Sequence, residues 1–255
     1  MTMWWPWVRL AAAALGSAAL IRQLALAVSN ARAAETAAAS HLPTVIANFF
    51  SYFTVLSNLI AAVALVIGAV WMLRHRRDRR PEPIWLSTLF ACAATYMIVT
   101  GIVYNVLLRH IQIAGISDPW TNETLHVVIP LVMLADVLLA PHRRALPYRT
   151  LAVIAAFPVV WAAYTLLRAN LITAPSTGNP WWYPYPFLDP HLQDGYAVVI
   201  AYIVGIAAVI LSVGAGVIWV GRRRRPIPAP PEPAPRAAVA YPQIEDTSEG
   251  DALVG

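Results

Sequence analysis

The chain has 255 residues, 59% hydrophobic and 12% charged, with a formal net charge of +5. So few charges exclude an ordinary soluble domain, in which about a quarter of the residues are charged. All 18 basic residues are Arg. Most stand in short clusters between apolar runs, which is a topology pattern and not a nucleic-acid surface, so no nucleic acid is expected as a partner.

Several apolar runs reach the roughly 20 residues needed to cross a bilayer, and they are continuous instead of alternating. The expected fold class is therefore all-α, a polytopic protein of six transmembrane helices in the cell membrane. The spans are read as Trp4 to Val28, Phe49 to Leu73, Ile84 to Leu108, Glu123 to Ala140, Tyr148 to Leu167 and Tyr196 to Val220. They make up a transmembrane domain over residues 1–221.

The first span competes with a secretory signal. Arg9 precedes its apolar core, and Ala31-Arg32-Ala33 resembles a small-residue cleavage site. The apolar character resumes after Arg22 and Gln23, and Trp4, Trp5 and Trp7 resemble an interfacial belt, so a retained helix is the preferred reading. The second span opens on FFSYFTVLSNL, where Ser51, Thr54 and Asn58 fall at helical offsets of three and four and are expected to share one face. Cys92, the only cysteine, lies inside the third span and allows no intrachain disulfide.

Arginine-rich and arginine-poor connections alternate. Arg74, Arg76, Arg77, Arg79 and Arg80 follow the second span, Arg143, Arg144 and Arg149 the fourth, and Arg222 to Arg225 the sixth. The other connections hold Arg32, Arg109 and, between Ala169 and Gly195, none. The positive-inside rule places both termini in the cytoplasm. Residues 222–255 are Pro- and Ala-rich and then acidic, and are expected to form a disordered cytoplasmic tail.

The external connection Ala169 to Gly195 contains NPWWYPYPFLDP. Its prolines make it a stiff irregular loop. Two readings stand: an aromatic anchor at the membrane boundary, or a lid over an outward-facing cavity with Asp189 turned inward.

With direction assigned, polar residues of five spans converge on the outer half of the membrane: Arg22 and Gln23, then Ser51, Thr54 and Asn58, then Thr100, Tyr104 and Asn105, then His126, then Arg168. Asp136, about 15 Å along the axis from His126, belongs to the inner end. Interhelical hydrogen bonding and snorkelling explain several of these groups; a site explains their common depth. His126 is the only His inside a span, which excludes a bis-His haem, and no HExxH or His/Cys/carboxylate set suggests a metal. No cofactor is expected. Pro130 frees the carbonyl of His126 and predicts a kink, and Glu123, one turn earlier, is a candidate to orient the imidazole. A hydroxyl beside an imidazole is the minimum for nucleophilic catalysis, and Thr54 and His126 match in depth.

The stretches FFSYFTVLSNLI, TGIVYN, ETLHVVIPLVMLAD and WYPYPFLDP resemble a bacterial group of six-helix membrane proteins. That group is similar to the eukaryotic androgen-induced and androgen-dependent TFPI-regulating proteins, membrane hydrolases of branched fatty-acid esters of hydroxy fatty acids. The resemblance implies a Thr nucleophile at Thr54, within YFTVLSN, and a His at His126, within NETLHVVIP. It implies a hydrolase of membrane lipid esters entered from the outer leaflet. Asn58 or Asn105 would donate to the oxyanion, and Arg22 or Arg168 would hold a substrate carboxylate. The alternative is a non-enzymatic lipid- or solute-binding protein or a small transporter. Thr54 Oγ1 and His126 within hydrogen-bond reach would favour the enzyme.

Overall fold

The computed structural model describes residues 4–76, 80–110, 118–141 and 143–224. Most of the tail expected from residue 222, together with Arg77, Arg79 and His142, lies outside them. The described residues are all-helical, with 76% of them in helix. Six helices are long and apolar enough to cross a membrane, as a multi-pass membrane protein requires.

Helix α1 is Trp5–Ala33, α2 the short Leu42–Phe49, α3 Phe53–Arg74, α4 Ile84–Leu108, α5 Pro119–Leu139, α6 Thr150–Ala169 and α7 Tyr196–Arg223. Prolines set several starts. Pro6, Pro43 and Pro119 occupy first-turn positions of α1, α2 and α5, where a missing N–H costs nothing. Pro81 and Pro83 precede α4, and Pro83 is its N-cap. The third span has the expected bounds, and it is the most buried of the six. It packs on α3, α5 and α7, α1 packs on α3, and α6 packs on α7.

Two bounds differ from expectation in ways that matter. The first helix continues through Ala31-Arg32-Ala33 to its end at Ala33, so that stretch is helical here. The second span does not start at Phe49. Phe49 closes α2, the chain turns over Phe50–Tyr52, and α3 begins at Phe53. Ser51 therefore lies in a turn and does not share a helix face with Thr54 and Asn58.

Proline inside α6 leaves a different mark. Pro158 has no N–H to give to the carbonyl of Ile154, four residues earlier. The Tyr96 hydroxyl of α4 donates to that carbonyl at 2.8 Å, replacing the lost bond across helices.

The end of the bundle where α1 begins and α5 ends is held by charge. Asp136 on α5 is 1% exposed and accepts from Trp5 Nε1 at 2.7 Å, from Arg9 Nε at 2.8 Å, and from Arg143. The Arg9 guanidinium also reaches Glu82 Oε1 at 3.2 Å. It lies over the Phe90 ring, 4.2 Å from the centroid, and Arg143 lies 4.5 Å from the same centroid. Glycine at position 68 makes this approach feasible, because a Cβ there would stand 2.4 Å from Phe90 and 2.6 Å from Arg9 Nη1. Burial raises the Glu82 carboxyl above its ordinary pKa, and Arg143 and Arg9 oppose that rise. Arg9, which looked like the basic flank of a signal, is thus the buried hub joining α1, the α3–α4 connection and α5.

A buried pair is a weak source of net stability, but removing one partner strands the other. Asp136→Ala leaves two buried guanidiniums without their carboxylate and is expected to cost about 3–5 kcal/mol. The check is a fall in the thermal unfolding midpoint of the detergent-solubilised protein, set against an exposed-surface control such as Thr177→Ala.

Candidate functional site

Thr54 is the second residue of α3, in the turn where backbone N–H groups have no intrahelical acceptor. The chain enters from an extended Tyr52, which gives the helix no side-chain cap. Thr54 is 8% exposed. Its Oγ1 lies 3.3 Å from His126 Nε2 and 3.3 Å from the Tyr185 hydroxyl, and its N–H donates to that hydroxyl at 3.2 Å.

His126 comes from a local widening of α5. Residues Thr124–Val128 form a π turn just ahead of Pro130. A matching π turn, Tyr104–Leu108, ends α4, with Arg109 N–H donating to Tyr104 O at 2.7 Å. The two widened segments face each other, and the Tyr104 ring stacks on the His126 imidazole at 4.1 Å between centroids. Gly101 allows this, since a Cβ there would stand 3.0 Å from Pro130 Cβ and 3.4 Å from the His126 carbonyl.

The imidazole is oriented by a backbone carbonyl. His126 Nδ1 lies 2.9 Å from Asn122 O, which can only accept, so Nδ1 carries the proton. In the neutral ring Nε2 is then an acceptor, and it faces the Thr54 hydroxyl. Glu123, the expected orienting group, pairs instead with Arg109. Asn122 also donates its side-chain amide to the Tyr104 hydroxyl, so one residue sets both the tautomer and the stacking ring.

Tyr185 comes from the aromatic loop. Residues Trp182 to Leu188 fold down onto the ends of the helices opposite Asp136, with Tyr185, Phe187 and Leu188 buried. Asp189 does not turn inward as the lid reading expected. It accepts from the His191 N–H at 2.9 Å and shapes the loop itself. Tyr185 takes the inward place, packed between Tyr52 and Phe187. Burial raises its phenol pKa, opposed by its bonds to Thr54, so it remains a hydroxyl donor.

The remaining expected residues are distributed otherwise. Asn58 commits both amide hydrogens, to Thr54 O at 2.9 Å and to Leu125 O at 3.3 Å, and so is not a free oxyanion donor. Ser57 bonds Thr54 O and Thr100 Oγ1, joining α3 to α4. Asn105 is exposed and bonds back to Gly101 O of its own helix. Arg22 is exposed and pairs with Asp118. Arg168 is held by Ser51 Oγ and Asn48 Oδ1, with its guanidinium over Trp182.

A cavity adjoins Thr54, between α4, α6, α7 and the loop. Thr54, Thr100, Tyr104 and Tyr185 supply its polar edge; the rest is apolar. Val159 on its wall is 65% exposed, so the cavity reaches the apolar flank of the bundle between α6 and α7. Asn58, Asn105, Arg22 and Arg168 do not line it, and His126 meets Thr54 from the α5 side. Tyr185 and Asn122 are the members of this candidate site that the sequence does not single out. The only signal was for Tyr185, a hydroxyl-bearing aromatic inside a proline-stiffened loop.

Comparisons of the chain with family models, curated proteins and solved structures find no match.

Asn58→Leu removes both bonds that tie Thr54 O and Leu125 O together and leaves a buried interhelical acceptor unanswered. It is expected to lower stability by about 1–3 kcal/mol, read as a drop in unfolding midpoint with the helical circular-dichroism signal of the folded state unchanged.

Proposed function

We propose that the protein is a membrane-embedded hydrolase of lipid esters, of the kind its resemblance to the androgen-induced and androgen-dependent TFPI-regulating proteins implies. One observation carries the reading: Thr54 Oγ1 lies 3.3 Å from His126 Nε2, on a ring whose Nδ1 is held by Asn122 O. That is the arrangement of a nucleophile, a base and an orienting group.

The chemistry follows from the atoms. Thr54 Oγ attacks the ester carbonyl carbon while its proton passes to His126 Nε2. The carbonyl oxygen becomes an oxyanion within reach of the Tyr185 hydroxyl and the N–H groups at the start of α3. Collapse breaks the bond to the alcohol oxygen, which takes the proton from His126. Water then attacks the acyl-Thr54 ester, His126 again accepts the proton, and the fatty acid leaves with Thr54 restored. The mostly apolar cavity beside Thr54 suits an acyl chain. Its opening on the flank suits entry from the bilayer.

The protein as purified in nanodiscs should react with a fluorophosphonate probe at Thr54. Thr54→Ala should abolish labelling, and His126→Ala should slow it by about a thousandfold. Equal labelling of wild type and Thr54→Ala would refute the assignment. Tyr185→Phe should lower kcat on a fatty-acid ester by about 10²–10³ with KM little changed, as loss of one oxyanion donor does.

The orientation belongs to the same reading: cell membrane, both termini cytoplasmic, and the site in the outer leaflet. Cys92 is buried, so a cysteine placed at Ser176 in the exposed part of the loop can be read against a quiet background. A membrane-impermeant maleimide should label Ser176→Cys in intact cells; labelling only after lysis would reverse the topology.

A further inference from the structure

The inner end carries a second, small cavity, bounded by α4, α7 and the connection that follows α5. Ser87, Arg143 and Arg144 supply its polar lining, beside Ala91, Val217 and Ile218. Two of its polar groups are buried with no hydrogen-bond partner: the Ser87 hydroxyl and Arg143 Nε. The Ser87 residue is 2% exposed and the Arg143 side chain 9% exposed. Buried donors are nearly always answered, so two orphans lining one cavity point to an acceptor that belongs there.

The charge balance selects the kind of acceptor. Arg9 and Arg143 already offset the two nearby carboxylates, Asp136 and Glu82. Around the cavity, positive charge is left over. Arg144 has no hydrogen-bond or ion-pair partner among the described residues. Arg224 and Arg222 donate to backbone carbonyls only, Val137 O at 3.1 Å and Leu146 O at 3.3 Å. Arg143 is pinned by Asp136 and by the Phe90 face, so its Nε is held in a fixed direction without reorganisation.

We propose that this cavity binds a phosphate group, with Arg143 Nε, Arg144 and the Ser87 hydroxyl as donors to its oxygens. Guanidinium groups and a hydroxyl around a tetrahedral oxyanion give charge-assisted bonds. The apolar part of the wall continues onto α7, whose outer surface is largely exposed and apolar, so the phosphate of a lipid at that membrane face fits better than free phosphate. The site is separate from Thr54, and its test is independent of the hydrolase reading.

Ser87→Ala and Arg144→Gln are the informative variants. Removing an unpartnered hydroxyl or an exposed Arg leaves the fold intact, whereas Arg143 holds Asp136. The full chain in detergent, carrying Thr54→Ala so that no ester is turned over, is titrated with dihexanoyl phosphatidylglycerol, with dihexanoylglycerol, which lacks the phosphate, and with inorganic phosphate. The phosphatidylglycerol should bind at least about tenfold more tightly than dihexanoylglycerol, and each variant should weaken it by about tenfold, the effect of one charge-assisted bond. The unfolding midpoint of ligand-free Ser87→Ala should stay level or rise. Inorganic phosphate binding as tightly as the lipid, with the same sensitivity to both variants, would assign the site to the free anion. Equal binding of the two lipids without inorganic phosphate binding, or variants that leave phosphatidylglycerol affinity unchanged, would overturn the proposal.

Discussion

Asp136 cannot be buried in a membrane protein as a lone anion. Its desolvation has to be answered by donors placed at bonding distance, and those donors come from far along the chain: Trp5 and Arg9 of α1, and Arg143 after α5. Arg9 then reaches Glu82, which stands between the two prolines that precede α4. One carboxylate thereby fixes three elements at one end of the bundle. Gly68 and Phe90 complete the arrangement, because the guanidinium can reach both acids only if α3 carries no side chain where it passes.

With that end of the bundle fixed, irregularity collects at the opposite end. Both π turns, the turn at Phe50–Tyr52 and the folded loop lie on the side opposite Asp136. Each departure from regular helix changes where a polar group points. The π turn of α5 brings Nε2 of His126 to Thr54 while its Nδ1 stays on Asn122 O. The facing π turn of α4 puts the Tyr104 ring against the imidazole. Single π turns inside helices recur at functional sites because they rotate side chains out of the regular register.

The six spans were legible because hydrocarbon demands long apolar runs, and those runs have no other use in a chain with so few charges. The matching depth of Thr54 and His126 followed from the alternating direction of the spans and helical rise. What stayed hidden depended on tertiary contacts. The break before Phe53 has no Gly or Pro to announce it, so Ser51 looked like part of the Thr54 face. Asn122 acts through its main-chain carbonyl, which every residue has, and the charged Glu123 beside it drew the eye. Asp189 seemed the polar group worth turning inward, but a carboxylate needs its own donors and finds one in the adjacent His191 N–H. Tyr185 can be buried at lower cost, since it is mostly ring and needs one partner. Arg9 read as a surface flank because its two acids lie 73 and 127 residues away.

The break at Phe50–Tyr52 also decides which threonine keeps its hydroxyl free of its own helix. Inside a helix, a Thr hydroxyl has a ready acceptor in the carbonyl one turn back. Thr95 shows the result in this chain: its Oγ1 donates to Ala91 O at 2.7 Å and offers nothing further. Thr54 stands in the first turn of α3, where the residue four back, Phe50, lies outside the helix and its carbonyl is not in the helical row. Its hydroxyl is left to side chains, and the two it meets are an imidazole acceptor and a phenol. Meanwhile its own carbonyl is gripped by Ser57 and Asn58, which holds the backbone of the residue still. The polar groups around Thr54 thus divide their tasks: those that look like interhelical glue fix its main chain, and the turn ahead of it releases its side chain.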